Sequence, residues 1–137
     1  FPSNKIGCRI SPTSTFNDIY DSNPQNLFDY LAIELGKKKL AYLHAIEGQK
    51  RGHNFNFDKI YDLFKDSGGL NCMMNRHENE IMESNRADLE VFGIPFIANP
   101  DFVFRLEHDL PLNEADSSTF YGGDEKGYTD YPFYQQP

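Results

Sequence analysis

The sequence predicts a parallel α/β fold, and three observations carry that prediction. Stretches of strand length alternate with stretches of helical periodicity in the order strand, helix, strand, helix, which builds a parallel sheet with crossover helices. The run from Leu40 to Ile46 is almost continuously apolar, as a strand buried on both faces must be. From Ile6 to Pro12, Ile6, Cys8 and Ile10 alternate with Gly7, Arg9 and Ser11 before Pro12 ends the ladder.

That first strand carries Arg9 near its carboxyl end. There a guanidinium can reach a ligand held above a parallel sheet, or pair with a neighbouring carboxylate as an ordinary strand residue. After a polar loop, Asn23 before Pro24 has the form of an N-cap followed by a first helical residue. Leu27, Phe28, Leu31 and Leu35 then recur at helical spacing, and Lys37, Lys38 and Lys39 close the helix where its dipole favours cations. The Leu40 to Ile46 strand follows, with His44 and Glu47 near its carboxyl end; by itself His44 reads as a structural histidine. A Gly-rich loop over 48–54 leads to a second helix marked by Phe57, Ile60, Tyr61 and Phe64.

The third strand is expected at Ser67 to Met73, where Gly68, Gly69 and Asn71 weaken the pattern. A helix is expected from His77 to Asn85, with Ile81 and Met82 as its contacts and Glu78, Glu80 and Glu83 facing solvent. The fourth strand spans Asp88 to Gly93. A short helical turn, a break at Asn99-Pro100 and a second helix through Leu106 come next. Beyond Pro111 periodicity ends, and Phe120, Tyr121, Tyr128, Tyr131, Phe133 and Tyr134 mark an ordered irregular segment. The expected organisation is one domain over 1–137, with 111–137 as its C-terminal tail.

Composition narrows the function. With 39% hydrophobic and 15% aromatic residues, the 137-residue chain is no disordered polymer. Its net charge of -8 is uneven: 9 Lys+Arg against 8 Asp+Glu over 1–70, but 4 against 13 over 71–137. Such an acidic half argues against nucleic acid as partner. Cys8 and Cys72 lack metal-ligand spacing and read as a pair of buried thiols in a reducing, cytoplasmic compartment. His53, His77 and His108 have no partner pattern, so no metal is expected. No apolar run has the length of a membrane span, and no signal peptide is visible at the start. A first residue other than Met, almost inside a strand, is expected of a processed chain or a fragment.

Several motifs in order carry a resemblance. They are G-C-R-I-S-P at 7–12, L-A-Y-L-H at 40–44, R-A-D-L at 86–89, F-G-I-P-F-I-A-N-P-D at 92–101, R-L at 105–106, P-L-N at 111–113, and S-T-F-Y-G-G with G-Y-T-D-Y-P over 118–132. Together they resemble the C-terminal half of the old yellow enzymes, the FMN-dependent ene-reductases that include N-ethylmaleimide reductase and 12-oxophytodienoate reductase. The resemblance implies the C-terminal half of a TIM (β/α)8 barrel, four strand-helix units plus an irregular tail. A half-barrel leaves two open sheet edges, to be closed by an N-terminal half, another protein or a second copy.

By the same resemblance, Arg9 corresponds to the arginine at the pyrimidine side of the flavin, and Tyr121 to an aromatic residue lining the substrate side. The phosphate site departs from the family. Gly93 and Ile94 stand where the pattern after the eighth strand has Gly-Arg, and Cys72 stands where the loop after the seventh strand, aligned at Leu70-Asn71-Cys72, has glycine. The implied substrate-binding pair and proton-donating tyrosine belong to the N-terminal half, so no catalytic residue is assigned here. The implied function is the C-terminal portion of an FMN-dependent NAD(P)H:ene-reductase acting on activated alkenes, needing an N-terminal half for activity. The alternative is a non-catalytic structural or interaction protein derived from such a half-barrel.

Overall fold

The computed structural model describes residues 1–47, 55–75, 87–122 and 124–135. Two compact units are present, Phe1–Val91 and Phe92–Pro137. Residues 111–137 belong with the two preceding short helices to the second unit. The expected helix over His77 to Asn85 and the loop over 48–54 with His53 lie outside the described residues.

The first unit is a four-stranded, wholly parallel sheet in the order β1 (Gly7–Ile10), β2 (Tyr42–Ala45), β3 (Asn71–Asn75), β4 (Leu89–Val91). Helix α1 (Pro24–Lys37) joins β1 to β2, and α2 (Phe57–Asp66) joins β2 to β3. Both helices start on asparagine caps: Asn23 Oδ1 accepts from the Asn26 N–H, and Asn56 Oδ1 from the Lys59 N–H. The core lies between the helices and one sheet face, where Ile10, Leu43, Ala45 and Cys72 meet Ala32, Ile60, Tyr61 and Phe64.

The leucine stripe expected to bury α1 is only half-buried, and Leu27 is exposed. Besides Pro24 at its start, the residues α1 buries are small, Ala32 and Gly36. A Cβ on Gly36 would stand 2.4 Å from the Phe64 carbonyl oxygen, so glycine sets how closely α1 approaches α2.

The third strand corrects the expectation. It covers Asn71–Asn75 instead of Ser67 to Met73, because the two glycines finish α2 and do not begin a strand. Ser67 is the helix cap, Gly68 takes φ +107°, and the Gly68 and Gly69 N–H groups donate to Lys65 and Phe64 oxygens. Gly69 also passes against the Phe64 ring, where a Cβ would stand 2.3 Å from ring atoms. The fourth strand is shorter than expected, since Gly93 caps the next helix.

The second unit holds α3 (Ile94–Ala98) and α4 (Phe102–Glu107), broken at Asn99-Pro100 as the sequence predicts. Phe102 is its apolar centre, with Phe92 and Phe96 rings 5.2 and 4.8 Å away. The segment beyond is irregular apart from a 3-10 turn at Ser117–Thr119. Polar bonds anchor it more than aromatic burial does: Tyr121, Tyr128 and Phe133 are exposed, whereas Asp116 N–H donates to the Tyr131 hydroxyl at 2.8 Å and Tyr134 N–H to Asp101 at 2.7 Å.

Candidate functional site

Strand alternation divides the sheet chemically. Cys8 and Ile10 face the helices and the core, so Gly7 and Arg9 face the other way. In register with Arg9 stand His44 on β2, Met73 on β3 and Leu89 on β4, forming one row across the face opposite the helices. His44 is buried in this row, whereas Arg9 is exposed. No ion pair or hydrogen bond engages the Arg9 side chain among the described residues. The carboxylate partner of an ordinary strand arginine is therefore not found there, and the guanidinium keeps its donors for something else.

Beyond β1 a cavity of about 130 Å³ lies among Thr13, Tyr20, Asp21, Leu27 and Phe28. Thr13 Oγ1 is buried nearby with no hydrogen-bond partner among the described residues. The space is well under the ~300 Å³ at which pockets for drug-sized ligands begin.

Asn71 and Cys72 are not at the carboxyl end of β3. They are its first two residues, at the opposite end from the loop that the sequence placed them in. Asn71 Nδ2 donates to the Ala41 carbonyl at 3.0 Å, and Cys72 is completely buried in the core. Burial pushes the Cys72 thiol up to about 12, which makes it a neutral packing group at ordinary pH. Its N–H donates to Asp88 Oδ2, and Lys65 holds the other carboxylate oxygen. The Lys65 hydrogen bond, with help from the Cys72 N–H, keeps the Asp88 carboxyl below its ordinary range. The loop after β3 lies outside the described residues.

Gly93 caps α3, and Ile94 is its exposed first residue. Tyr121 is 85% exposed, its ring edge-on to Phe120. Arg9 and the first residues of β3 thus belong to the first unit, and Gly93, Ile94 and Tyr121 to the second.

The second unit contains a polar network that the sequence shows only as motif letters. Arg105, 3% exposed, donates from Nε to Asp101 Oδ1 at 2.6 Å, from Nη1 to the Pro111 oxygen at 2.6 Å and from Nη2 to the Pro132 oxygen at 2.9 Å. Asn99 and Asn113 exchange side-chain and backbone bonds, with Asn113 N–H donating to Asn99 Oδ1 at 2.7 Å and Asn113 Nδ2 to the Ala98 oxygen at 2.8 Å. The N-P-D, R-L, P-L-N and D-Y-P motifs are therefore a scaffold fastening the tail. The i,i+4 spacing of Asp101 and Arg105 was the available signal for it.

Comparison with known proteins agrees with this architecture. Residues 2–113 match the model of the NADH:flavin oxidoreductase / NADH oxidase family. The 12-oxophytodienoate reductase 1 of Oryza sativa subsp. japonica is 37% identical over 147 residues, which take in 98% of this chain and 38% of that protein. A Leishmania infantum protein named "Probable flavin mononucleotide-dependent alkene reductase" is 38% identical, covering 94% of this chain and 36% of its own length. The solved old yellow enzyme from Trypanosoma cruzi superposes with a TM-score of 0.77 at 34% identity, over 97% of this chain and 36% of that one. The chain spans a little over a third of the length of these relatives.

Proposed function

Because the chain belongs to the NADH:flavin oxidoreductase / NADH oxidase family, the old yellow enzymes, we propose that it is the C-terminal portion of an FMN-dependent NAD(P)H:ene-reductase acting on activated alkenes. Its parallel sheet with outer helices is part of that family's (β/α)8 barrel. In a closed barrel the face opposite the helices lines the interior, and Arg9 stands on that face.

The exposed, unengaged Arg9 guanidinium carries the reading. It is a fixed cation, always charged, suited to hold the pyrimidine edge of a flavin where negative charge collects. When bound, the flavin supplies hydride transfer between NAD(P)H and the alkene. Exposed Tyr121 offers an aromatic wall for the substrate side. Among the described residues strands β1 and β4 end the sheet, each with an unpaired edge, and an N-terminal barrel half is the partner that would complete both. Among the described residues no helix is long and apolar enough to cross a membrane.

Native mass spectrometry of the protein as isolated, followed by release of any noncovalent ligand, tests this reading. A flavin held together with an N-terminal barrel half is the expected result. A flavin-free assembly with an unrelated partner would overturn it in favour of a non-catalytic role.

A further inference from the structure

The segment between β1 and α1 is fastened at both ends and exposed between them. Pro12 and Thr13 are buried at its stem and Pro24 is buried where α1 begins, whereas every residue from Phe16 to Asn23 is exposed. Three of these, Phe16, Ile19 and Tyr20, are large and mostly apolar. The whole segment belongs to the first unit and leaves the carboxyl end of β1, the strand that carries Arg9.

The observed arrangement carries two local costs. Asn17 and Asp18 both take φ +56°, in the left-handed region. Asparagine and aspartate enter it singly, and two in succession hold only where the surroundings compensate. Thr13, 5% exposed, keeps its buried hydroxyl without a hydrogen-bond partner among the described residues.

Beneath the segment lies the cavity of about 130 Å³, bounded by Ile19 and Tyr20, by Thr13 at the stem and by Leu27 and Phe28 of α1. An exposed apolar side chain, Ile19, thus stands at the rim of an enclosed space, directly after the two left-handed residues.

We infer that Phe16–Tyr20 is a strap with two seats, the open one observed and a closed one in which Asn17 and Asp18 return to negative φ and Ile19 enters the cavity. Closure removes the backbone cost and buries apolar surface that is exposed in the open seat. A ligand shifts such an equilibrium only through contacts it makes in one state alone. The aromatic rings at the two ends of the strap, Phe16 and Tyr20, supply that contact by covering a flat ligand at the carboxyl end of β1. Taking a flavin at Arg9 as that ligand rests on the reading above.

The protein, in the assembly in which it purifies, is freed of flavin. Amide exchange across residues 14–22 is then followed with and without FMN, at a concentration that saturates the change in flavin fluorescence. FMN should slow exchange there by about tenfold or more. Asn17→Gly combined with Asp18→Gly removes the backbone cost of the open seat, so the slowing produced by FMN should shrink by about fivefold. Bound FMN with unchanged exchange at 14–22 overturns the strap and leaves the flavin reading standing. A slowing that the glycine pair leaves intact also overturns it, because FMN would then shield the segment without a hinge. Failure of FMN to bind overturns both readings together.

Discussion

Asp88 grips Cys72 on both sides of its peptide: the Asp88 N–H donates to the Cys72 oxygen at 2.9 Å, and Asp88 Oδ2 accepts the Cys72 N–H at 2.8 Å. Lys65 Nζ reaches Oδ1 at 2.8 Å, so one carboxylate ties the start of β3, the approach to β4 and the end of α2. The Lys65 pair is half in solvent and adds little; the strand N–H is the group that would be left without its acceptor. Asp88→Ala should therefore cost about 1–3 kcal/mol, and Asp88→Asn less, as read by urea unfolding at neutral pH. The Lys65 bond lowers the Asp88 pKa below 3.8 on folding. Its stabilising contribution is thus complete above that value and lost as pH falls through the lower folded value. Asp88→Asn should flatten this part of the acid limb; an unchanged acid limb would show that the carboxylate is not linked to folding.

The two thiols should differ sharply toward reagents. Cys72 is fully buried and its thiol is held up to about 12, whereas Cys8 is only partly buried. A disulfide reagent at pH 8 should label Cys8 alone in the native chain and both residues after denaturation. Because the folded Cys72 pKa is raised from 9.0, its linkage contribution is present below pH 9 and lost progressively as pH rises toward 12. Cys72→Ala should remove that part of the alkaline destabilisation, at a separate cavity cost of about 1–2 kcal/mol. Rapid labelling of Cys72 in the folded protein would contradict its burial.

At Gly36 two effects oppose each other. Alanine is the better helix former by about 1 kcal/mol, yet its methyl would stand 2.4 Å from a backbone oxygen of α2 and 2.7 Å from the Ser67 Cβ. Backbone cannot rotate away as a side chain can, so overpacking wins. Gly36→Ala should lower stability by about 1–3 kcal/mol in equilibrium unfolding. A stabilised variant would mean that α1 can move off α2 at little cost.

Arg105 should act on the tail more than on the helix that carries it. Its three donor bonds join α4 to Asp101 and to oxygens at positions 111 and 132. Burial works against the Asp101 charge, but the Tyr134 N–H and the Arg105 guanidinium still hold its carboxyl below the ordinary range. Arg105→Ala leaves those acceptors without a donor, and amide exchange around Asn113 and Tyr134 should speed by at least about tenfold. Unchanged protection there would show that the asparagine pair fastens the tail unaided.

Several of these features were legible in the sequence. The Asn23-Pro24 start, the parallel order and the break at Asn99-Pro100 follow from local rules, since caps, prolines and periodicity act within a few residues. The third strand was misplaced because Gly68-Gly69 after an apolar stripe is equally a weak strand and a helix ending; only the φ of +107° at Gly68 decides. That shift carried Asn71 and Cys72 to the wrong end of β3. Arg9 was readable as a strand-end cation, but its freedom from a carboxylate partner depends on side chains brought close by folding. The Arg105 network was hidden for the same reason, its acceptors being carbonyl oxygens that have no letter in a sequence.

Arg9 separates the functional reading from an ordinary strand position most directly. Its side chain is exposed and makes no described contact, so removing it should leave stability within about 0.5 kcal/mol. If it holds the flavin edge, Arg9→Ala should weaken flavin binding by about tenfold or more. Arg9→Lys keeps the charge and loses the planar fork, so it should fall between the two. Equilibrium unfolding and flavin titration of the same three proteins give both numbers. A loss of stability equal to the loss of binding would make Arg9 a structural residue, and unchanged binding would move the flavin contact off β1 altogether.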